Sequence, residues 1–132
     1  MRVNDPAVVA AVAAAFTSYE AALVGDVRAA IVGWFWDSDR TVRFGLADGQ
    51  VGAAELRQWR HGQPPLPPGR RLFDTRITTF GDDHAVVTTC FDYPGRPAVG
   101  RQTQTWVRFP AGWRIVSAHV SELATATLTQ PH

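Results

Sequence analysis

The first part of the chain carries apolar residues at helical spacing. They recur at intervals of four, four, three and four, as one stripe of a helix: Val8, Val12, Phe16, Tyr19 and Leu23. Asp5 before Pro6 is a helix-start signal, and Gly25 is a helix-end signal. The pattern predicts a first helix with Tyr19 on its inward stripe.

The following segment predicts short elements joined by turns. In chain order these are a second helix capped by Asp26, a strand over Arg40–Phe44, a loop over Gly45–Gly52, a third helix over Ala53–His61 and a stiff proline-rich connector over Gly62–Gly69. Beyond the connector the pattern changes to four long β-prone segments: Leu72–Phe80, Ala85–Tyr93, Arg101–Phe109 and Trp113–Ser121. Short Gly, Pro and Asp turns between them predict an antiparallel meander.

Helices followed by a meander predict an α+β fold, in which the long sheet curls around the helical layer and leaves a pocket at the open end of a cone. With 132 residues, 45% of them apolar, the chain has the size of one domain. We expect that domain over residues 1–122 and a C-terminal tail over 123–132.

The composition of the chain disfavours or excludes several classes of protein. Thirteen basic residues against 12 acidic ones leave a net charge of +1, which disfavours a nucleic-acid or membrane-surface binder. The single Cys90 excludes an internal disulfide framework and a thiolate metal cage. No apolar run approaches the ~20 residues of a membrane span, and the start of the chain lacks a signal-peptide pattern. We therefore expect a cytoplasmic protein.

Strand parity predicts where polar side chains meet. Gln102, Gln104 and Trp106 share one face of the third long strand. On the last strand His119 and Ser121 share the parity of Trp113 and Ile115, and are expected to point inward: a polar pocket floor or ordinary hydrogen-bonded core groups. The pocket walls are expected to be aromatic: Trp34, Phe35, Trp36, Trp59 and Trp106.

The sequence gives only weak signals for a nucleophilic or metal-dependent enzyme. His119 and Ser121 lack an orienting carboxylate, which disfavours a Ser–His hydrolase. The four histidines have no metal-ligand spacing, and we expect neither metal nor cofactor. Arg43 on its strand faces either the pocket or solvent, and Tyr19 is either a core aromatic or a pocket residue.

Several segments resemble the AtzH-like family of the SnoaL-like, nuclear-transport-factor-2-like superfamily. They are Val3–Pro6, Phe16–Leu23, Phe35–Asp37, Thr41–Gly45, and the strand pair Gly100–Phe109 and Gly112–Ser121. The resemblance covers nearly the whole chain and departs in the connector and the tail. It implies the cone-shaped α+β fold and a homodimer. It also implies that Tyr19 and Arg43 match a tyrosine and an arginine proposed as catalytic in the family.

The family's namesake is proposed to be an amidohydrolase of s-triazine catabolism that acts on dicarboxyurea. The resemblance thus implies a cofactor-free hydrolase, or decarboxylating amidohydrolase, of a small carboxylated urea or amide in nitrogen-compound catabolism. Arg43 would hold a carboxylate and Tyr19 would donate a proton. Strand parity adds His119 as proton acceptor or water orienter and Gln104 as a carbonyl-positioning amide. The expected binding residues are Gln102, Gln104, Trp36, Trp59, Trp106 and Ser121.

Two further hypotheses remain open. The chain could be a small-anion-binding module or amidase accessory without chemistry of its own, or a structural dimeric domain. The scaffold of this superfamily hosts enzymes and non-catalytic domains alike, so fold alone does not choose among them.

Overall fold

The computed structural model describes residues 1–126. In chain order its elements are α1 Pro6–Val24, α2 Arg28–Gly33, β1 Val42–Phe44, β2 Gly49–Val51, α3 Ala53–His61, β3 Arg71–Phe80, β4 His84–Asp92, β5 Ala98–Phe109 and β6 Gly112–Ala124. The expected tail from 123 onward is in part strand β6, and its residues 127–132 lie outside the described residues.

The helix ends follow the signals in the sequence, with one difference. Asp5 caps α1 by accepting a hydrogen bond from the backbone N–H of Ala7 at 3.0 Å, and Gly25 is its C-cap. Asp26 does not cap α2, because it adopts a left-handed φ of 53° and Val27 takes the cap position without a side-chain hydrogen bond. Helix α2 therefore begins one residue later than the predicted cap implies.

Helix α1 differs from the expectation about apolar runs. By length and composition alone its 19 residues could cross a membrane, with a mean hydropathy of 1.8, so the expectation that no such run exists is wrong. In the structure Val12, Phe16, Tyr19 and Leu23 of this helix are buried in the hydrophobic core. The apolar stripe is thus used to pack the helix against the rest of the fold.

The strands form one six-stranded mixed sheet in the order β2-β1-β6-β5-β4-β3. The predicted antiparallel meander is β3 to β6, while β1 joins β6 in parallel and pairs antiparallel with β2. Strand β2 lies where the sequence predicted a loop, because its three residues carry no β pattern of their own. The helices cover the inner face of this sheet, and the core includes Trp106 and Ile115. The α+β class is confirmed.

A β-bulge in β6 changes which side chains face inward. Thr105 pairs with Ser117 and Trp106 pairs with Ile115, so Val116 is an extra residue on β6. Trp113 and Ile115 before the bulge are buried, as predicted. Beyond the bulge the parity is reversed, which decides the position of every later side chain of the strand.

Candidate functional site

A cavity of about 250 Å³ opens between the helical layer and the inner face of the sheet. Helices α1 and α3 form one side, strands β4, β5 and β6 form the floor, and residues 63–67 of the proline-rich connector close the rim. Prolines hold this connector stiff without helix or strand. Arg28 secures its start, since its guanidinium donates to the backbone carbonyls of His61 and Gln63. The Arg28 side chain thereby fixes the end of α3 and the start of the connector.

Tyr19 reaches the cavity from the inward stripe of α1. Its ring contacts Phe35 and Trp106 edge-on, with centroids 6.0 and 6.4 Å away. Burial, followed by the charge of Glu20, raises the pKa of the Tyr19 hydroxyl, against the opposing charges of nearby arginines. Within residues 1–126 the hydroxyl makes no hydrogen bond to another side chain or to the backbone. It is a neutral proton donor that faces the cavity.

Arg43 lines the cavity from β1, so the structure selects the pocket over solvent. Its Nη1 donates to Asp48 Oδ2 at 3.1 Å and to Gln50 Oε1 at 3.2 Å. Its guanidinium carbon lies 4.2 Å from the centroid of the Trp59 ring. A carboxylate, an amide and an aromatic face therefore hold Arg43 in place.

Arg60 follows Trp59 on α3 and lies over the same ring, at 4.7 Å. The residue is 9% exposed, and its Nε is buried without a hydrogen-bond partner. Burial is the largest influence and lowers the pKa of Arg60; the charges of Arg43 and Arg28 lower it as well, while Tyr19 and Asp26 oppose the shift. Among the described residues no carboxylate forms an ion pair with Arg60. This guanidinium is the uncompensated positive charge of the cavity.

Two glutamines of β5 contribute amide groups to the floor. Gln104 accepts a hydrogen bond from Trp106 Nε1 at 3.0 Å through its Oε1, which turns its Nε2 donors away from that bond. Gln102 is buried, and its Nε2 has no hydrogen-bond partner. Buried amide donors without acceptors are costly unless a ligand supplies the acceptor. The pair therefore favours a ligand with carbonyl or carboxylate oxygens.

The charges of the other two cavity-lining arginines are neutralised. Arg70 forms a buried ion pair with Glu20, with Nε and Oε1 2.9 Å apart, and donates to the Tyr93 hydroxyl at 3.0 Å. Arg96 pairs with Glu122 at 2.7 Å. Both carboxylates are thus engaged, and neither is a free general base.

His119 does not line this cavity, and neither does Ser121. The prediction that they point inward is wrong, because the bulge at Val116 turns them to the outer face of the sheet. There His119 is exposed and its ring meets Phe44 edge-on at 5.8 Å, while Ser121 accepts a hydrogen bond from Arg101 Nε at 3.2 Å.

The aromatic wall is smaller than expected. Trp59 and Phe35 line the cavity, but Trp34 and Trp106 lie behind it and contact each other at 5.9 Å. Trp36 stacks on Phe109 at 5.5 Å, away from the site. From its position behind the cavity, Trp106 Nε1 donates the hydrogen bond that orients Gln104.

Sequence reasoning missed Arg60, although a signal was present. Arg60 follows Leu56 by four residues, so both share one face of α3, and Leu56 is buried. The buried partnership of Glu20 with Arg70 had no such signal, since 50 residues separate the two.

No group of three or more His, Cys, Asp or Glu side chains that could hold a metal ion occurs within residues 1–126. The site instead gathers donors: a tyrosine hydroxyl, two amides and an uncompensated guanidinium. Such a set can bind an anion with several oxygens and can deliver one proton to it.

Solved structures from two bacteria are similar to this chain. One is a cystatin-like fold protein from Burkholderia xenovorans LB400, at 48% identity and a TM-score of 0.91, covering 94% of this chain and 98% of that one. The other is a protein of unknown function from Pectobacterium atrosepticum SCRI1043, at 45% identity and 0.89, covering 92% and 95%. An NTF2-like protein of unknown function from Pseudomonas putida KT2440 shares the fold at 15% identity and 0.74, covering 89% and 87%.

No curated protein matches the chain. The model of the AtzH-like family matches residues 1–126, which is the whole of the described chain. The tyrosine, the arginine and the strand pair that carried the resemblance all lie within that match. The chain therefore belongs to the AtzH-like family and has the nuclear-transport-factor-2-like fold.

Proposed function

We propose that this protein is a cofactor-free hydrolase that cleaves the carbon–nitrogen bond of a small carboxylated urea or amide. The observation that carries the proposal is the donor set of the cavity: the Tyr19 hydroxyl faces the cavity without a hydrogen bond, and Gln102 Nε2 and Arg60 Nε are buried without hydrogen-bond partners among the described residues. A carboxylate supplies oxygens for several of these donors and the negative charge that the site lacks. A cavity of about 250 Å³ suits a small molecule.

The proposed reaction needs a proton donor more than a nucleophile. In an N-carboxylated substrate, R–NH–COO⁻, the Tyr19 hydroxyl gives its proton to the nitrogen. The carbon–nitrogen bond then breaks, its electron pair stays on nitrogen, and R–NH₂ and carbon dioxide leave. Water returns a proton to the tyrosinate, and the resulting hydroxide combines with carbon dioxide as bicarbonate. The sum is hydrolysis, with atoms and charges balanced.

The electrostatics of the site support this role for Tyr19. A raised pKa keeps the hydroxyl protonated at neutral pH, so the donor is present when the substrate binds. The charges of Arg60 and Arg43 oppose that rise, because they favour the tyrosinate that forms during the step. The same residue can therefore hold a proton before the step and tolerate its loss during it.

A second candidate is a carboxylate-binding module that assists an amidase without chemistry of its own. One observation favours it: the carboxylates of Glu20 and Glu122 are both held in ion pairs, so the described part of the cavity offers no free general base. Direct attack of water on a stable amide would need such a base. The two candidates therefore differ in whether the substrate is labile enough to react with a proton donor alone.

A carbon-13 NMR time course distinguishes them. Labelled carboxylated ureas are generated in situ by an amidase, with and without the purified protein. We expect bicarbonate to appear faster than spontaneous decay, and Tyr19→Phe to lower kcat by roughly 10²- to 10⁴-fold, as for loss of a general acid. Arg57→Gln, at an exposed position of α3 paired with Asp37, is the matched control and should keep full activity.

The results of this experiment distinguish the hydrolase from the binding module. Broadened substrate signals without faster product formation would replace the hydrolase with the binding module. Neither effect, with any of the carboxylated ureas, would overturn both. Full activity of a folded Tyr19→Phe variant would leave the hydrolase but remove its proton donor.

A further inference from the structure

We propose that Arg60, rather than Arg43, is the principal residue that binds the carboxylate of the ligand. This inference rests on the proposed function, because it names the residue that supplies the charge for anion binding. Both guanidiniums lie over the Trp59 ring, at 4.7 Å for Arg60 and 4.2 Å for Arg43. The two residues differ in whether the positive charge is already paired with a carboxylate of the protein.

The charge of Arg43 is already compensated inside the protein. Asp48 pairs with its Nη1 at 3.1 Å, and Gln50 accepts a second hydrogen bond from the same nitrogen. Asp48 is itself held by Gln50, whose Nε2 donates to Asp48 Oδ2 at 2.8 Å. A ligand carboxylate at Arg43 would lie against a fixed negative charge. This closed triangle of side chains is typical of a positioned residue.

The charge of Arg60 has no such compensation. Arg60 is 9% exposed, and its buried Nε donates no hydrogen bond. A buried cation without a partner destabilises a folded protein, so the arrangement is accounted for most simply by an anion that binds there. Arg60 also lines the same cavity as Gln102, whose Nε2 likewise lacks an acceptor. A carboxylate has two oxygens and can accept from a guanidinium and an amide together.

The neighbouring guanidinium of Arg43 also favours an anion at Arg60. Arg43 and Arg60 share one aromatic ring and repel each other, and the charge of Arg43 lowers the pKa of Arg60. An anion at Arg60 relieves both this repulsion and the lost hydration of the buried guanidinium. The surroundings of Arg60 therefore favour binding of an anion.

Calorimetric titration with malonate and oxalate tests the proposal, with neutral malonamide as the control ligand. Arg60→Gln keeps hydrogen-bond donors and removes the charge. We expect it to weaken malonate binding roughly 10- to 100-fold, the range for a lost charged hydrogen bond. Arg43→Gln should weaken binding less, and Arg57→Gln on the same helix should leave it unchanged.

The stability of the variant is a second measurement. Because Arg60→Gln removes an uncompensated buried charge, the ligand-free variant should melt at the same temperature as the wild type or higher. At the same malonate concentration the melting temperature of the wild type should rise more than that of the variant. A purely structural role of Arg60 predicts the reverse, a lower melting temperature and unchanged binding in the fraction that folds.

A measurement on the wild type guards against a variant that fails to fold. The ¹⁵N–¹H resonance of Arg60 Nε, assigned by its loss in Arg60→Lys, should shift on addition of malonate more than that of Arg43. A larger shift at Arg43 would overturn the proposal, as would an Arg60→Gln variant that binds malonate like the wild type. In both cases the cavity would still be a carboxylate-binding site, but Arg60 would not be its principal residue. Wild-type protein that binds neither malonate nor oxalate would overturn the carboxylate site itself.

Discussion

Tyr19 joins the core and the candidate site in one residue. Its ring is an apolar member of the α1 stripe, and its hydroxyl faces the cavity without a hydrogen-bond partner among the described residues. Helical spacing predicted the first property from the sequence alone. The second depends on Arg60, Arg43 and the strands opposite, which only the folded chain brings together.

The raised pKa of Tyr19 predicts how stability changes with pH. Below about pH 10 the hydroxyl is protonated in both the folded and the unfolded chain. Above it the unfolded chain loses the proton first, so the free energy of unfolding falls until the pH passes the raised pKa of the folded state. The contribution of one such group is at most about 1.4 kcal/mol per pH unit.

Urea denaturation at several pH values from 8 to 11 measures this contribution. We expect the free energy of unfolding of Tyr19→Phe to fall less steeply above pH 10 than that of the wild type, since the variant has no proton to lose there. Parallel curves for the two proteins would contradict the assignment of the buried, protonated hydroxyl.

At the scale of elements, strand β6 explains the main error of the sequence prediction. Its first half was predicted correctly from Trp113 and Ile115. The bulge at Val116 then moves Ala118 and Val120 to the cavity side. A signal was present: from Val116 to Val120 the apolar residues occupy even positions, whereas the prediction continued the odd ones. Strict alternation fails wherever one extra residue enters a strand.

Other elements were predictable because their signals are local. Helix α3 has the predicted bounds, and α1 begins at its proline and ends before its glycine, since caps act within a turn of the helix. Strand β2 was missed because its pairing with β1, and not its own three residues, makes it a strand.

Within the site, Tyr19, Arg43, Gln102, Gln104 and Trp59 were placed correctly in the cavity. Contacts between distant segments, such as Glu20 with Arg70, leave no local pattern.

The reversed parity of β6 predicts opposite results for two neighbouring residues. His119→Ala removes an exposed side chain from the outer face, so malonate binding and turnover should stay within about twofold of the wild type. Ala118→Leu adds volume to the cavity floor, so malonate binding should weaken at least tenfold. Calorimetric titration of both variants measures the difference. Strong loss in His119→Ala with normal binding in Ala118→Leu would mean that the strand lacks its bulge.

At the scale of the whole molecule, the Glu20–Arg70 ion pair connects the helical layer to the sheet. Glu20 belongs to α1, and Arg70 precedes β3 and donates to Tyr93, which directly follows β4. Their side chains are 9% and 4% exposed. Removing one partner of a buried pair leaves an uncompensated charge and typically costs 3–5 kcal/mol. Unlike Arg60, neither partner has a proposed ligand to restore the balance.

We therefore expect Glu20→Gln to lower the free energy of unfolding by about 3 kcal/mol or more, measured by urea denaturation. The double variant Glu20→Gln, Arg70→Met should recover part of that loss, because it leaves no buried charge behind. Asp83→Asn breaks the exposed pair with Arg108, in which both side chains are more than half exposed, and should cost less than about 1 kcal/mol. Equal losses for the buried and the exposed pair would mean that water reaches Arg70, and the cavity wall would then be open at this corner.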